Sequence, residues 1–132
     1  MLQSTSNSTS QTNITAKIIT AERGQDVILT CKVPNNNNNN KTITAVEWIR
    51  PRLDPEHVLF YRDGHLDPDN QHPSYQNRVD LQNKELKDGD FSLILKNVTM
   101  EDNGRYECWV FEKGKNEPIN TITLEVLLSV LM

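Results

Sequence analysis

The chain has 132 residues and is poor in the residues that build catalytic and metal sites. It has two cysteines and five glycines, and no Gly-rich phosphate loop or Gly-x-Ser-x-Gly motif occurs. Its three histidines, His57, His65 and His72, have no usual metal-ligand spacing. We therefore expect no enzyme, no metal and no cofactor.

Basic residues are also too few to suggest an anionic partner. Lys and Arg number 14 against 18 Asp and Glu, and the formal net charge is −4. Nucleic acids and anionic membranes held by bulk charge select a basic footprint, and no long basic run is present. The composition thus argues against a nucleic-acid or anionic-membrane partner held by bulk charge.

The two ends of the chain differ in composition from its middle. Residues 1–15 are rich in Ser, Thr, Asn and Gln, which predicts a disordered or glycosylated stalk. Residues 127–132 form an apolar tail, much shorter than the ~20 residues that cross a bilayer. We expect a piece of a longer membrane protein that lacks its signal peptide and anchor, with this tail as a truncated juxtamembrane segment. The alternative is that the tail only completes the last strand.

Between residues 16 and 126, apolar and polar residues alternate with the period of β-strands, and no segment has a helical period. Six consecutive asparagines, residues 35–40, predict a surface loop, either a recognition loop or a tolerated expansion. Polar residues 113–118 predict the last hairpin loop. The residues predicted to point inward are Val27, Leu29, Cys31, Val33, Val46, Trp48, Phe91, Leu93, Leu95, Tyr106, Cys108, Val110, Ile122, Leu124 and Val126.

One stretch, Asp102-Asn103-Gly104-Arg105-Tyr106-Glu107-Cys108, has the form of a turn that leads directly into a strand. Upstream lie the other cysteine, Cys31, and a tryptophan, Trp48. This Cys…Trp…Tyr-x-Cys order is typical of immunoglobulin sandwiches. Residues 16–126 therefore resemble a variable-type (V-set) immunoglobulin domain.

The resemblance implies an all-β Greek-key sandwich with one inter-sheet disulfide between Cys31 and Cys108. Trp48 should pack on that disulfide, and the Tyr106 hydroxyl should bond back to the backbone just upstream. The strands of such domains are given letters in chain order. An arginine at the start of strand D pairs there with the aspartate of the turn that precedes the tyrosine of the motif. Here the matching residues are Arg78 and Asp102, which we expect to form a surface ion pair of about 0–1 kcal/mol.

Acceptor motifs for N-linked glycans occur at four positions. Each is an Asn-x-Ser/Thr triplet, and with a two-cysteine sandwich they favour an oxidising, extracellular setting. The acceptor residues are Asn7, Asn13, Asn40 and Asn97.

The candidate binding residues alternate with the inward set. Trp109 and Phe111 should lie on the outer, exposed face of the sheet, and Ile49 from the strand that carries Trp48 should join them. Clustered exposed aromatics mark binding surfaces. The alternative is that neighbouring side chains or the next loop cover the rings. In the resemblance Trp109 and Phe111 lie on strand F and Ile49 on strand C. The surface is then the G-F-C-C′ face, named after the four strands that form it, and this face pairs with partner domains.

Three further segments resemble the butyrophilin, myelin-oligodendrocyte-glycoprotein and co-stimulatory-ligand group: residues 24–31, 61–64, and 77–79 followed by 89–93. This resemblance implies a cell-surface domain, outside the plasma membrane, that acts as a co-stimulatory or co-inhibitory ligand for a receptor on immune cells. The alternative partner is a like immunoglobulin domain, in homophilic cell adhesion.

Overall fold

The computed structural model of the chain describes residues 15–33, 43–112 and 115–128. Within these ranges nine β-strands and three 3-10 turns are formed. The strands are β1 (Thr15–Glu22), β2 (Val27–Leu29), β3 (Ile43–Ile49), β4 (His57–Arg62), β5 (His65–Leu66), β6 (Val79–Leu81), β7 (Leu93–Leu95), β8 (Gly104–Glu112) and β9 (Lys115–Leu127). The 3-10 turns are Pro73–Tyr75, Leu86–Asp88 and Met100–Asp102.

Both sheets pair strands that are distant in the sequence. One has six strands in the order β1-β9-β8-β3-β4-β5, and the other has three in the order β2-β7-β6. β1 runs parallel to β9, and the other pairs are antiparallel. Because β4 and β5 extend the sheet beyond β3, the architecture is of the variable type. This confirms the predicted all-β Greek-key sandwich.

The core lies between the sheets and includes all the residues predicted to point inward, together with others such as Val58, Leu59 and Leu81. From Val46 onward, each of the predicted residues is at most 3% exposed. Val27 and Val33, at the two ends of their segment, are only partly buried but still pack on the core. In these strands the alternation in the sequence therefore predicts which side is buried.

The predicted disulfide connects the two layers. Cys31 and Cys108 are bonded, with 6.5 Å between their Cα atoms. Trp48 lies opposite Cys108 across the β3–β8 pair and is fully buried. Its indole N–H donates to the Phe91 carbonyl at 2.9 Å, so burying the ring leaves no orphaned donor.

The last hairpin differs from its prediction. A loop was expected over residues 113–118, but β9 begins at Lys115 and pairs with β8 from its first residue. Pro118 lies within the ladder, opposite Trp109 and next to a register shift. A proline lacks the ladder N–H and is accepted at such irregularities, so its presence did not imply a loop.

Candidate binding face

Charged and aromatic side chains close the end of the sandwich where β8 begins. We call Arg50, Tyr75, Arg78, Asp102 and Tyr106 the corner cluster. Arg78 Nη2 lies 2.6 Å from Asp102 Oδ2, and the Tyr106 hydroxyl donates to the Asp102 carbonyl at 2.6 Å. The Tyr75 hydroxyl lies 2.8 Å from the Tyr106 hydroxyl and accepts from Arg50 Nη1 at 2.8 Å. The cluster joins three separate segments of the chain.

The Arg78–Asp102 pair is not the surface pair that was expected. The Asp102 side chain is only 3% exposed, and its carboxylate also accepts the Thr99 backbone N–H at 2.8 Å as part of a capping box. Removing one partner of a buried, hydrogen-bonded pair costs more than breaking a solvated ion pair. The structure pairs the two residues; only their expected position at the surface is wrong, because the carboxylate is buried in the turn that it caps.

Two residues of the corner cluster, Tyr75 and Arg50, were not predicted from the sequence. Tyr75 is a single aromatic in a polar, turn-rich stretch, and that isolation is the signal that could have identified it. Arg50 directly follows β3, and its guanidinium donates to the Glu101 and Asn103 carbonyls besides Tyr75. Burial raises the pKa of Tyr106 and of Tyr75, which keeps both hydroxyls protonated.

The candidate binding residues lie on the side of the six-stranded sheet that faces away from the core. We call the outward side of β9, β8, β3 and β4 the outer face. One row of side chains crosses the centre of this face. Glu47 on β3 lies opposite Phe60 on β4 on one side and opposite Trp109 on β8 on the other. Trp109 in turn lies opposite Pro118 on β9. The row consists of two aromatic rings and a proline around one carboxylate.

Trp109, Phe111 and Ile49 all lie on this face, but each is half-buried and not fully exposed. The Trp109 indole N–H donates to Glu107 Oε1 at 3.0 Å. The Phe111 ring packs on Phe60, with 5.8 Å between centroids. Ile49 lies opposite Glu107, diagonal to Trp109. Neighbouring side chains therefore cover part of the rings.

Phe60 is a face residue that the sequence did not assign. It sits between Leu59 and Tyr61, which are both apolar and both buried. An unbroken apolar run carries no alternation, so only the β3–β4 register shows that Phe60 points outward. Arg62 covers part of its ring, with the guanidinium carbon 5.2 Å from the centroid.

At the centre of the outer face, Glu47 forms an ion pair with His57 through its Oε2 and the imidazole Nδ1. The Glu47 side chain is 14% exposed. Burial raises the pKa of its carboxyl above the ordinary value, although His57 acts in the opposite direction. Glu47 thus occupies an outward-facing strand position, where a carboxylate is normally hydrated, and yet is largely desolvated.

One of the four glycan acceptor residues, Asn97, lies in the described ranges, and it is exposed in the turn that follows β7. Its φ of 52° is one that asparagine tolerates better than most residues. Asn7, Asn13, Asn40 and the expected stalk fall outside the described residues, as does most of the 127–132 tail.

The same ranges also bear on metal binding and on membrane spans. No group of three or more His, Cys, Asp or Glu side chains there is arranged to hold a metal ion. Among the residues described, no helix has the length and apolar character to cross a membrane.

A two-layer sandwich with a central disulfide, a buried tryptophan and a tyrosine corner defines an immunoglobulin domain. The immunoglobulin V-set domain family matches residues 14–127. The chain therefore belongs to the V-set family.

Curated relatives include immune and adhesion proteins. Mouse butyrophilin subfamily 2 member A2 is 32% identical over 84% of this chain and 21% of its own length. Human junctional adhesion molecule B is 32% identical over 86% of this chain and 33% of its own. The chain thus spans about a fifth to a third of these two relatives.

Solved structures agree on the fold. A chain in the structure of ICOS in complex with ICOS-L and an anti ICOS-L VNAR domain has a TM-score of 0.74 and 26% identity, covering 86% of this chain and 56% of that one. The human B7-H4 IgV-like domain has a TM-score of 0.67 and 20% identity, covering 88% and 94%. The second likeness, at its low identity, shows the fold alone.

Proposed function

We propose that this domain is an extracellular recognition module of the co-stimulatory or co-inhibitory ligand type. It binds a receptor on immune cells through the outer face and performs no catalysis. The observation that carries this is the aromatic group at the centre of that face, Trp109, Phe111 and Phe60, with Ile49 beside it. A central aromatic patch with a polar surround is the usual composition of a protein-binding hot spot.

The relatives support the same function class. Butyrophilins, a CD276 antigen homologue and myelin-oligodendrocyte glycoprotein match most of this chain, and one similar structure is named as a complex of ICOS with ICOS-L. Extending a receptor-binding role from them to this chain is part of the proposal. So is placement outside the plasma membrane, with an N-linked glycan at Asn97.

A homophilic adhesion role is the second candidate, and the match to junctional adhesion molecule B favours it. In that case the same aromatic patch would pair with its counterpart on a neighbouring cell. The two functions differ in whether the partner is another copy.

The test uses fluorescent tetramers of the domain on a lymphocyte panel, in parallel with bead-coupled domain. We expect tetramers to stain a subset of cells and Trp109→Ala and Phe111→Ala to lose most staining, since truncating a central aromatic anchor typically costs ~2 kcal/mol or more of binding. The control is Ile18→Ala, which removes an exposed apolar side chain from the edge strand β1 of the same sheet.

Beads that cluster with one another, without staining lymphocytes, would support adhesion instead. If both aromatic variants fold and stain as the parent does, the outer face is not the binding surface. Mass analysis of secreted protein before and after deglycosylation tests Asn97, because Asn97→Gln should remove one glycan.

A further inference from the structure

The chemistry of the outer face indicates what kind of protein partner it fits. Two carboxylates, Glu47 and Glu107, lie among its aromatic side chains; we call them the central carboxylates. Glu47 lies opposite both Phe60 and Trp109, and Glu107 receives the Trp109 indole N–H. Any partner that covers the aromatic patch must also cover these two carboxylates.

Each central carboxylate has one oxygen in use and one to spare. Glu47 Oε2 is bound by His57, and Glu107 Oε1 is bound by Trp109. The described residues give the other oxygen of each no donor. Docking would exclude solvent from those oxygens, and an uncompensated buried carboxylate is costly. A compatible partner must therefore supply donors.

Among the side chains that the structure describes, no permanent cation lies against the central carboxylates. Arg62 lies above the Phe60 ring and is paired with Asp67 at 3.5 Å. Arg105, also on the outward side of β8, is exposed and forms no ion pair with them among the described residues. Glu56 adds to the negative field, since it too raises the pKa of Glu47. The His57 imidazole, which contacts Glu47 Oε2, acts in the opposite direction.

We propose that the partner of the outer face is a different protein, whose docking patch inserts an arginine between apolar side chains. A guanidinium can donate to a spare carboxylate oxygen and can also stack on an aromatic ring, and Trp109 lies opposite Glu47 and is bonded to Glu107. A second copy fits poorly because it would bring its own central carboxylates against these. This inference rests on the proposed function and specifies the partner's chemistry.

The first experiment titrates N-acetyl-arginine amide into the ¹⁵N-labelled domain and follows the indole N–H signals. Trp109 reports on the face, and Trp48, buried and bonded to Phe91, is an internal reference. We expect the Trp109 signal to shift and the Trp48 signal to stay. The neutral isostere N-acetyl-citrulline amide should give no comparable shift. Equal shifts with both amides would overturn the proposal.

The second experiment repeats the titration and the lymphocyte staining with Glu47→Gln and Glu107→Gln. Each should weaken both by roughly tenfold, because a charge-assisted bond becomes a neutral one. Glu125→Gln, which removes an exposed carboxylate from β9 of the same sheet, should change neither. Raised salt should weaken staining by the parent domain.

These outcomes separate the proposed binding function of the outer face from the proposed arginine-bearing partner. If Trp109→Ala abolishes staining but the glutamine variants and salt do not weaken it, the face binds and the basic partner is wrong. If the parent domain forms dimers in sedimentation that Trp109→Ala removes, the occupant is a second copy and this inference is overturned. A monomeric parent whose staining depends on the central carboxylates supports it.

Discussion

The corner cluster and the outer face use the same kinds of side chain, aromatic rings with carboxylates and cations, but they differ in how completely the polar groups are satisfied. In the corner cluster, Asp102 has its carboxylate bound by Arg78 and by a backbone N–H, and its carbonyl bound by Tyr106. On the outer face, Glu47 and Glu107 each keep one oxygen without a donor from the described residues.

This difference distinguishes a structural network from a binding surface. A fully satisfied polar network fixes one arrangement of the segments that it joins, and removing one member leaves the others unpaired. A half-satisfied group at a surface retains bonding capacity for a partner. Changes in the corner cluster should therefore alter stability, whereas changes on the outer face should mainly alter binding.

Asp102→Ala should have the largest effect on stability. It removes the Arg78 ion pair and the cap on the Thr99 N–H together, and breaking a buried pair typically costs about 3 kcal/mol or more. Urea unfolding monitored by fluorescence measures it. Asp80→Ala is the matched control, because Asp80 is 35% exposed and its carboxylate contacts exposed Lys84 and the adjacent Leu81 N–H, so that the change should be within about 1 kcal/mol. Equal losses in the two variants would show that the corner is no more than a surface pair.

Gly104→Ala should rank second. Gly104 has a φ of 146°, and an added Cβ would come within 2.8 Å of Arg50 Nη2. That guanidinium is held by Tyr75 and two carbonyls, so it cannot move without breaking bonds. Backbone strain of this type costs on the order of 1–3 kcal/mol.

Gly24→Ala provides the comparison for Gly104→Ala. It has a φ of 92° and no atom within 4 Å of an added Cβ, so it isolates the backbone cost from the contact with Arg50. A loss for Gly104→Ala no larger than that for Gly24→Ala would show that Arg50 accommodates the methyl group.

The corner and the face also differ in how far the sequence predicts them. The disulfide, Trp48 and the inward set could be predicted because alternation and the family motif report on them locally. Phe60 and Arg50 could not, since their roles depend on strand register or on contacts between distant segments, and for Tyr75 the sequence shows its isolation but not its partners. The burial of Glu47 was also hidden, because alternation places it outward without showing that Phe60 and Trp109 flank it.

Trp109→Ala and Phe111→Ala should have a smaller effect on stability than the corner variants. Surface substitutions usually lie within about 0.5 kcal/mol, but these rings are half-buried, so we expect about 1 kcal/mol. Thermal unfolding of both variants beside Ile18→Ala checks this. A loss as large as that of Asp102→Ala would place the rings in the core and remove the distinction between the two regions.

Glu47→Gln should have the smallest effect on stability, and its pH dependence tests why the central carboxylate is present. Burial raises the pKa of Glu47 above its ordinary value of 4.5. Between pH 4.5 and the raised pKa of the folded state, Glu47 is protonated in the folded state and ionised in the unfolded state. The stability of the parent therefore falls as pH rises through that window and stays lowered above it. Glutamine does not titrate. The variant should therefore gain stability relative to the parent as pH rises above 4.5, even though we expect it to bind its partner less well.

Urea unfolding of Glu47→Gln and the parent at several pH values, with Glu125→Gln as the control, measures this difference. The exposed Glu125 should give no comparable trend. If Glu47→Gln instead becomes progressively less stable than the parent as pH rises, attraction to His57 outweighs desolvation, and Glu47 resembles Asp102 in being satisfied within the fold. A gain would mean that the domain retains a charge that weakens its own fold, which is the behaviour expected of a residue kept for a partner.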